Sequence, residues 1–296
     1  MSFSSDIKYQ WQHGGPTIKL VLVNIGIFLI QAAGSIIGGI FGMRESYLQF
    51  ISEWFYASSD ILELLTKPWT LFTYMFMHDL QSVFHVLFNM MYLFFFGRIF
   101  SDIMQPKMIY PLYLAGGLVG LIFSIATYNL IPDYHAYIGT ATVGASAAIM
   151  AIVLATATLQ PTYTVHLMFI GPVQLKYIAA FVLIIDLLSI SNNDNLGGHI
   201  THLGGALTGF LYIRSYKRSG NWFGWWGKFE RRVYGLFHPV KTRVAYVNPN
   251  QRPTARQHAL DEQDKVDAIL DKIRESGYDS LSKSEKEFLF KISNKK

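Results

Sequence analysis

Six apolar runs divide the first two-thirds of the chain. They lie near Leu20–Phe41, Phe84–Phe100, Met108–Leu130, Ala145–Leu159, Val173–Ile190 and Thr201–Ile213. A helix needs about 20 apolar residues to cross the hydrocarbon core of a bilayer. The runs therefore predict an all-α, polytopic membrane protein built as a six-transmembrane-helix bundle. Glycine and serine recur at four-residue spacing in the first run (Gly34, Gly38, Gly42) and in the third (Gly116, Gly120, Ser124). Small-xxx-small spacing lets helix backbones approach closely in lipid, so both rows are expected to be packing faces.

Beyond the sixth run the pattern changes. "NWFGWWGKFERRVYGLFHPVK" mixes Trp with Lys and Arg, as suits an inner headgroup region. A polar linker, "NPNQRPTARQ", follows. Val266, Ile269, Leu270 and Ile273 then repeat at helical spacing, with Gly277 as an expected C-cap. Ser282 with Glu285 forms a capping box that opens a second short helix bearing Phe288, Leu289 and Ile292. The predicted organisation is a cytosolic N-terminal segment (1–18), a six-helix membrane domain (19–218), a juxtamembrane segment and linker (219–258) and a C-terminal helical hairpin (259–296). A hairpin this small has little core of its own and is expected to dock on a cytosolic partner.

Charge adds an orientation. The turn Gly97–Lys107 holds Arg98 and Lys107, and Arg214, Lys217, Arg218, Lys228, Arg231 and Arg232 follow the sixth run. The loops around Asp133 and Asp194 hold no Lys or Arg. The positive-inside rule then puts both termini in the cytoplasm, as expected of a multi-pass protein of a bacterial inner (plasma) membrane. The polar start "MSFSSDIKYQWQHGGP" lacks a signal-peptide pattern, so the first run reads as a permanent span. The long loop "SYLQFISEWFYASSDILELL" reads as helices lying on the interface. With no cysteine among 296 residues, disulfides and thiol catalysis are excluded. Neither a cofactor nor a nucleic-acid partner is implied.

Polar side chains inside spans are costly and point to function. His85 and Asn89, four apart, share one helix face at the start of the second span. Ser146 opens the fourth, and His202 the sixth. All three spans begin on the same side of the bilayer, so the four residues should share a depth. The fourth run is too short to cover the core, which places Ser146 below the surface. The preceding "YIGTATVG" would enter as irregular backbone, tolerated only if buried in protein or lining a wet cavity. His202 can take the Ser146 proton. The Ser146 N–H, at a helix N-terminus, can face an oxyanion together with His85 and Asn89. Asp186 is expected to lie deeper than His202 and to be a poor third member. His78, His199 and His166 are expected to be structural or loop residues. Metal is not expected, because no carboxylate joins the histidines at ligand spacing.

"HVLFN" (His85, Asn89), "GAS" (Gly144–Ser146) and "HLGGALTG" (His202–Gly209), with the lead-in "PWTLFTYMFMH", together resemble the rhomboid family of intramembrane serine proteases over roughly residues 15–215. The resemblance implies a rhomboid-like bundle that cleaves transmembrane helices of membrane-protein substrates at a Ser146–His202 dyad, through an acyl-enzyme. It implies an oxyanion hole of His85, Asn89 and Ser146. It also gives the fifth helix and the loop Ser191–Gly198 the roles of gate and cap. Gly144, Gly205 and Gly209 would pack the site. Two positions depart from the family pattern. Ala147 stands where glycine is usual and is expected to narrow the site, and Thr70 replaces an arginine that anchors the first loop. The alternative reading is a catalytically inactive, rhomboid-like protein that binds membrane clients.

Overall fold

The computed structural model describes residues 3–167, 170–191, 195–220, 225–229, 232, 265–273 and 278–293. The chain divides into two compact units, Met1–Tyr234 and Gly235–Lys296.

The first unit holds a helix at each of the six apolar runs. In chain order its helices are α1 (Phe3–His13), α2 (Gly15–Ile40), α3 (Arg44–Phe55), α4 (Ile61–Thr66), α5 (Thr70–Thr73), α6 (Val83–Ile103), α7 (Ile109–Leu130), α8 (Ser146–Leu159), α9 (Leu175–Ser191) and α10 (Leu196–Ser219). By length and composition α2, α6 and the stretch Pro106–Leu130, which holds α7, are long and apolar enough to cross a membrane. Short strands interrupt the helical pattern, which the sequence did not foretell. β1 (Ala57–Ser58) pairs antiparallel with β2 (Ala141–Thr142), and β3 (Thr164–Leu167) with β4 (Gly171–Gln174). The fifth helix therefore begins at Leu175 rather than Val173, and His166 lies in β3 rather than in a loop.

At the centre stands α8. Its 14 residues rise only about 21 Å, well short of a bilayer core of about 30 Å. Every side chain from Ala147 to Ala157 is buried. Small residues on its neighbours let them reach its backbone. A β-carbon at Gly205 of α10 would lie 2.1 Å from the Ala147 carbonyl oxygen, and one at Gly209 only 2.0 Å from that of Ala151. From α7, a β-carbon at Gly116 would lie 2.4 Å from the Ala151 Cβ. The third-run row is thus a helix–helix face. The first-run row is different: Gly34 and Gly38 face Tyr47 and Arg44, both in the loop helix α3, and not another span.

The inward stripe of α2 is polar. Thr17, Asn24, Gln31 and Ser35 are buried, while Leu29, Ile30, Ile36, Ile37 and Ile40 are exposed. In lipid the apolar side chains need no shelter, whereas polar groups need internal partners. They have them: Thr17 Oγ1 donates to the Gly97 carbonyl at 3.0 Å, and Tyr113 donates to Asn24 Oδ1 at 3.4 Å. Gln31 accepts from the His78 N–H at 3.2 Å.

The segment leading into α8 is also paired. β2 hydrogen-bonds β1, the Gly144 N–H donates to the Tyr74 carbonyl at 3.0 Å, and the Ser59 hydroxyl donates to the Tyr137 carbonyl at 3.0 Å. The expected irregular entry is a short sheet that satisfies its own backbone. Around Thr70 the first loop is anchored by its neighbours in place of an arginine at that position. Trp69 Nε1 donates to the Trp54 carbonyl at 2.8 Å, the two indoles stack at 5.9 Å, and Lys67 sits over Trp54.

In the second unit, residues 265–273 are helical and α11 spans Lys283–Ser293. The capping box forms: the Ser282 N–H donates to Glu285 Oε2 at 2.7 Å, and the Glu285 N–H donates to the Ser282 hydroxyl at 3.3 Å. The Ser282 N–H, then Lys272 and the Ser282 hydroxyl, hold the Glu285 carboxyl down at about 2. Gly277 and the linker 248–257 lie outside the described residues, as does most of the juxtamembrane segment.

Gly209→Val is expected to lower the thermal stability of the detergent-purified protein by at least the ~1–3 kcal/mol usual for overpacking, because the Ala151 backbone cannot yield. Gly26→Ala, whose β-carbon meets nothing within 4 Å, should leave the melting temperature unchanged or raised.

Candidate functional site

One end of the bundle holds a cavity of about 960 Å³ lined by His85, Asn89, Ser146, Asp186 and His202. Each position follows from a local feature of the chain. Ser146 is the first residue of α8, where a helix leaves its N–H groups without intrahelical partners. Gly144 precedes it at φ 122°, a conformation that disfavours any β-carbon. The missing side chain is also needed for space. A β-carbon at Gly144 would sit 3.0 Å from Nε2 and Cε1 of His85 and 3.7 Å from Ser146 Oγ. The His85 ring therefore lies over the approach to the serine. Asn89, one turn along α6 and buried, donates one amide N–H to the His85 carbonyl at 2.9 Å. Its second N–H remains for another acceptor.

Behind His85 stands His78. It is fully buried rather than at the water boundary, and its ring meets that of His85 edge-on at 5.5 Å. Burial, with the neighbouring His85, lowers the His78 imidazole to about 4, so it is neutral at ordinary pH and packs against His85 as an uncharged ring.

His202 lies on α10, six residues after Leu196. Its Nδ1 is 2.9 Å from Asp186 Oδ1, and His199 Nδ1 is 2.6 Å from the same oxygen. Both contacts correct the sequence reading, which put Asp186 too deep and left no carboxylate beside the histidines. The reason lies in the helix ends. α10 begins at Leu196, five residues before the predicted start, so His202 sits about 9 Å from that end. Asp186 lies five residues before the end of α9 at Ser191, about 7.5 Å along it. The two depths match. Gly197 and Gly198, assigned to the loop from sequence, belong to the helix. Counting both helices outward from the polar "SNNDN" would have paired the residues; residues 192–194 themselves lie outside the described set.

Asp186, His199 and His202 bring their ligand atoms within 4.8 Å of one another. The Oδ1–Nδ1 separations of 2.6 and 2.9 Å are hydrogen-bond lengths. Two ligands on a tetrahedral zinc with bonds of about 2.0–2.1 Å stand roughly 3.3 Å apart. As placed, the cluster is a hydrogen-bonded network. With Nδ1 turned to Asp186, Nε2 is the His202 nitrogen left for other chemistry. Among the described residues no hydrogen bond joins Ser146 to His202. Such contacts are commonly long in unliganded sites and tighten once substrate is seated.

Apolar walls complete the cavity: Phe84 and Phe88 from α6, Phe181 and Ile185 from α9. All four are exposed along the outside of the bundle as well. The Ala147 side chain does not line the cavity. It faces α7, where a β-carbon at Gly120 would lie 2.8 Å from the Ala147 Cβ. The extra methyl therefore fills a helix contact and does not narrow the site.

Residues 65–219, more than half of the chain, match the Rhomboid domain family. Residues 255–295 match a family of unknown function, DUF6576. The chain is 30% identical over 206 residues to "RHOMBOID-like protein 12, mitochondrial" from Arabidopsis thaliana. That similarity covers 64% of this chain and 54% of the relative, so the chain spans about half the length of the protein it matches.

Ala147→Gly is expected to leave the reactivity of Ser146 toward a fluorophosphonate unchanged. It should lower thermal stability by about 1 kcal/mol, the helix cost of glycine against alanine. A large gain in Ser146 reactivity would show that the methyl does restrict the site.

Proposed function

Because the chain belongs to the rhomboid family, we propose that it is an intramembrane serine endopeptidase that cuts the transmembrane helices of other membrane proteins. The observation that carries this reading is the shared cavity: Ser146, His202, His85 and Asn89, from three different helices, line one space walled by apolar side chains. Those walls suit a hydrophobic substrate segment arriving from the bilayer. The polar end of the cavity suits a peptide bond.

In this mechanism His202 Nε2 takes the Ser146 hydroxyl proton as Oγ attacks the substrate carbonyl carbon. The C–O π electrons move to the oxygen. The Ser146 N–H, the free Asn89 amide N–H and the His85 ring face that oxyanion. Collapse breaks the C–N bond, and the leaving amine takes the proton back from His202. Water, deprotonated by the same nitrogen, then hydrolyses the acyl-enzyme and restores Ser146. Both termini face the cytoplasm, by the distribution of Lys and Arg. The C-terminal module is an accessory that binds a cytosolic partner.

The test is covalent labelling of the purified protein by a fluorophosphonate. Wild type should be labelled, and Ser146→Ala and His202→Ala should not. Wild type labelled no better than Ser146→Ala would sink the protease reading in favour of an inactive client-binding protein. On a model transmembrane substrate, His85→Ala or Asn89→Ala should each lower kcat by about 10²–10³, the usual cost of losing one oxyanion donor. Deleting Asp261–Lys296 should spare basal cleavage in detergent; loss of cleavage would make the module part of the catalytic unit.

A further inference from the structure

We propose that Asp186 is a positioning residue for His202, so that the catalytic machinery is a Ser146–His202–Asp186 triad whose carboxylate is itself held by His199. This inference rests on the protease reading above.

A carboxylate buried in a membrane-embedded helix is expensive unless it is paired. Asp186 is 4% exposed, on a helix whose neighbouring side chains Ile184, Ile185, Leu187 and Leu188 are exposed apolar groups. Its partners are the two imidazoles of α10, and both meet the same oxygen, Oδ1. Oδ2 is buried without a partner among the described residues. Among the described residues the carboxylate is therefore partnered only by the histidines, through Oδ1.

The two histidines differ in what they can reach. His202 lines the cavity with Ser146, whereas His199 does not. A neutral imidazole carries one N–H. Donating it from Nδ1 to Asp186 leaves the Nε2 lone pair of His202 pointing away, as the base requires. When Nε2 gains the serine proton, the carboxylate faces the new positive charge and stabilises it. His199 donates from its own Nδ1 and fixes the rotamer of Asp186. One oxygen thus orients the base and is oriented by a second histidine one turn away. Because Asp186 sits on α9 and both histidines on α10, the base is set only while these two helices are docked.

The test uses the full-length protein in detergent and follows labelling rate, kcat, KM and thermal melting. In serine-protease triads, replacing the aspartate by asparagine costs about 10⁴ in kcat. Asp186→Asn is expected to lower kcat and labelling rate by at least about 10²-fold, with KM and melting close to wild type. His199→Gln, which removes the second hydrogen-bonded ring but not the first, should cost far less. Equal losses from His199→Gln and Asp186→Asn would mean that Asp186 only ties α9 to α10, and the proposal falls. It falls also if Asp186→Asn leaves kcat near wild type. A readout independent of catalysis is ¹⁵N NMR of ring-labelled histidine. The His202 ring should be the Nδ1–H tautomer in wild type and should change in Asp186→Asn. Unchanged His202 resonances overturn the proposal even in a protein that the probe does not label. Absence of labelling in wild type, with the expected tautomer change, would sink only the protease reading.

Discussion

The carbonyl oxygens of Ala147 and Ala151 lie within about van der Waals reach of Gly205 and Gly209, with no room for a β-carbon between them. This backbone-to-backbone approach of α10 to α8 is the contact on which the site depends. Ser146 begins α8 and His202 lies one turn before Gly205 on α10. Any side chain at the crossing would push the helices apart and carry the histidine away from the serine. In lipid, close van der Waals packing has to replace the hydrophobic drive that would hold such helices together in water. The alanine-rich α8 and the glycines of α7 and α10 supply it.

The same solvent inverts the rest of the bundle. The outside of α2 is isoleucine and leucine, and its buried face carries Thr17, Asn24, Gln31 and Ser35 beside Leu20. Thr17, Asn24 and Gln31 bond to α6, to α7 and to the loop before α6, and Ser35 accepts from Arg44 of α3, so they fix register as well as contact. The site is a local intensification of that scheme. Asp186 is a polar group on a helix with an apolar outside, and it bonds to two histidines across a helix pair. The device common to the bundle recurs here beside the cavity that Ser146 and His202 line.

How much of this was legible depends on whether local composition or helix ends carried the information. The His85–Asn89 pair, Ser146 and His202 stood out because polar residues interrupt apolar runs. Asp186 interrupts one too, yet its partner was misjudged, since its depth depends on where α9 ends and α10 begins. α9 ends at Ser191 and α10 begins at Leu196, so Gly197 and Gly198, which read as loop, fold as helix. The β1–β2 bridge was invisible for a related reason: Ala57–Ser58 and Ala141–Thr142 lie far apart in sequence and carry no strand pattern. The seven-residue spacing of Thr17, Asn24 and Gln31 marks the buried face of α2, whereas the small residues Gly34 and Gly38 mark only its contact with a loop helix.

By itself the sequence determined that the chain is a helical membrane protein, which runs become helices, and which side chains are too costly in a membrane to lack a purpose. Those facts follow from composition and spacing, because transfer to lipid is priced residue by residue. The tertiary structure decided what each polar group meets. It turned the Ala147 methyl toward α7, set His78 behind His85, and brought Asp186 level with His202. These are relations between helices, fixed by glycine contacts and helix ends to within an ångström or two, and a one-dimensional pattern does not carry that precision.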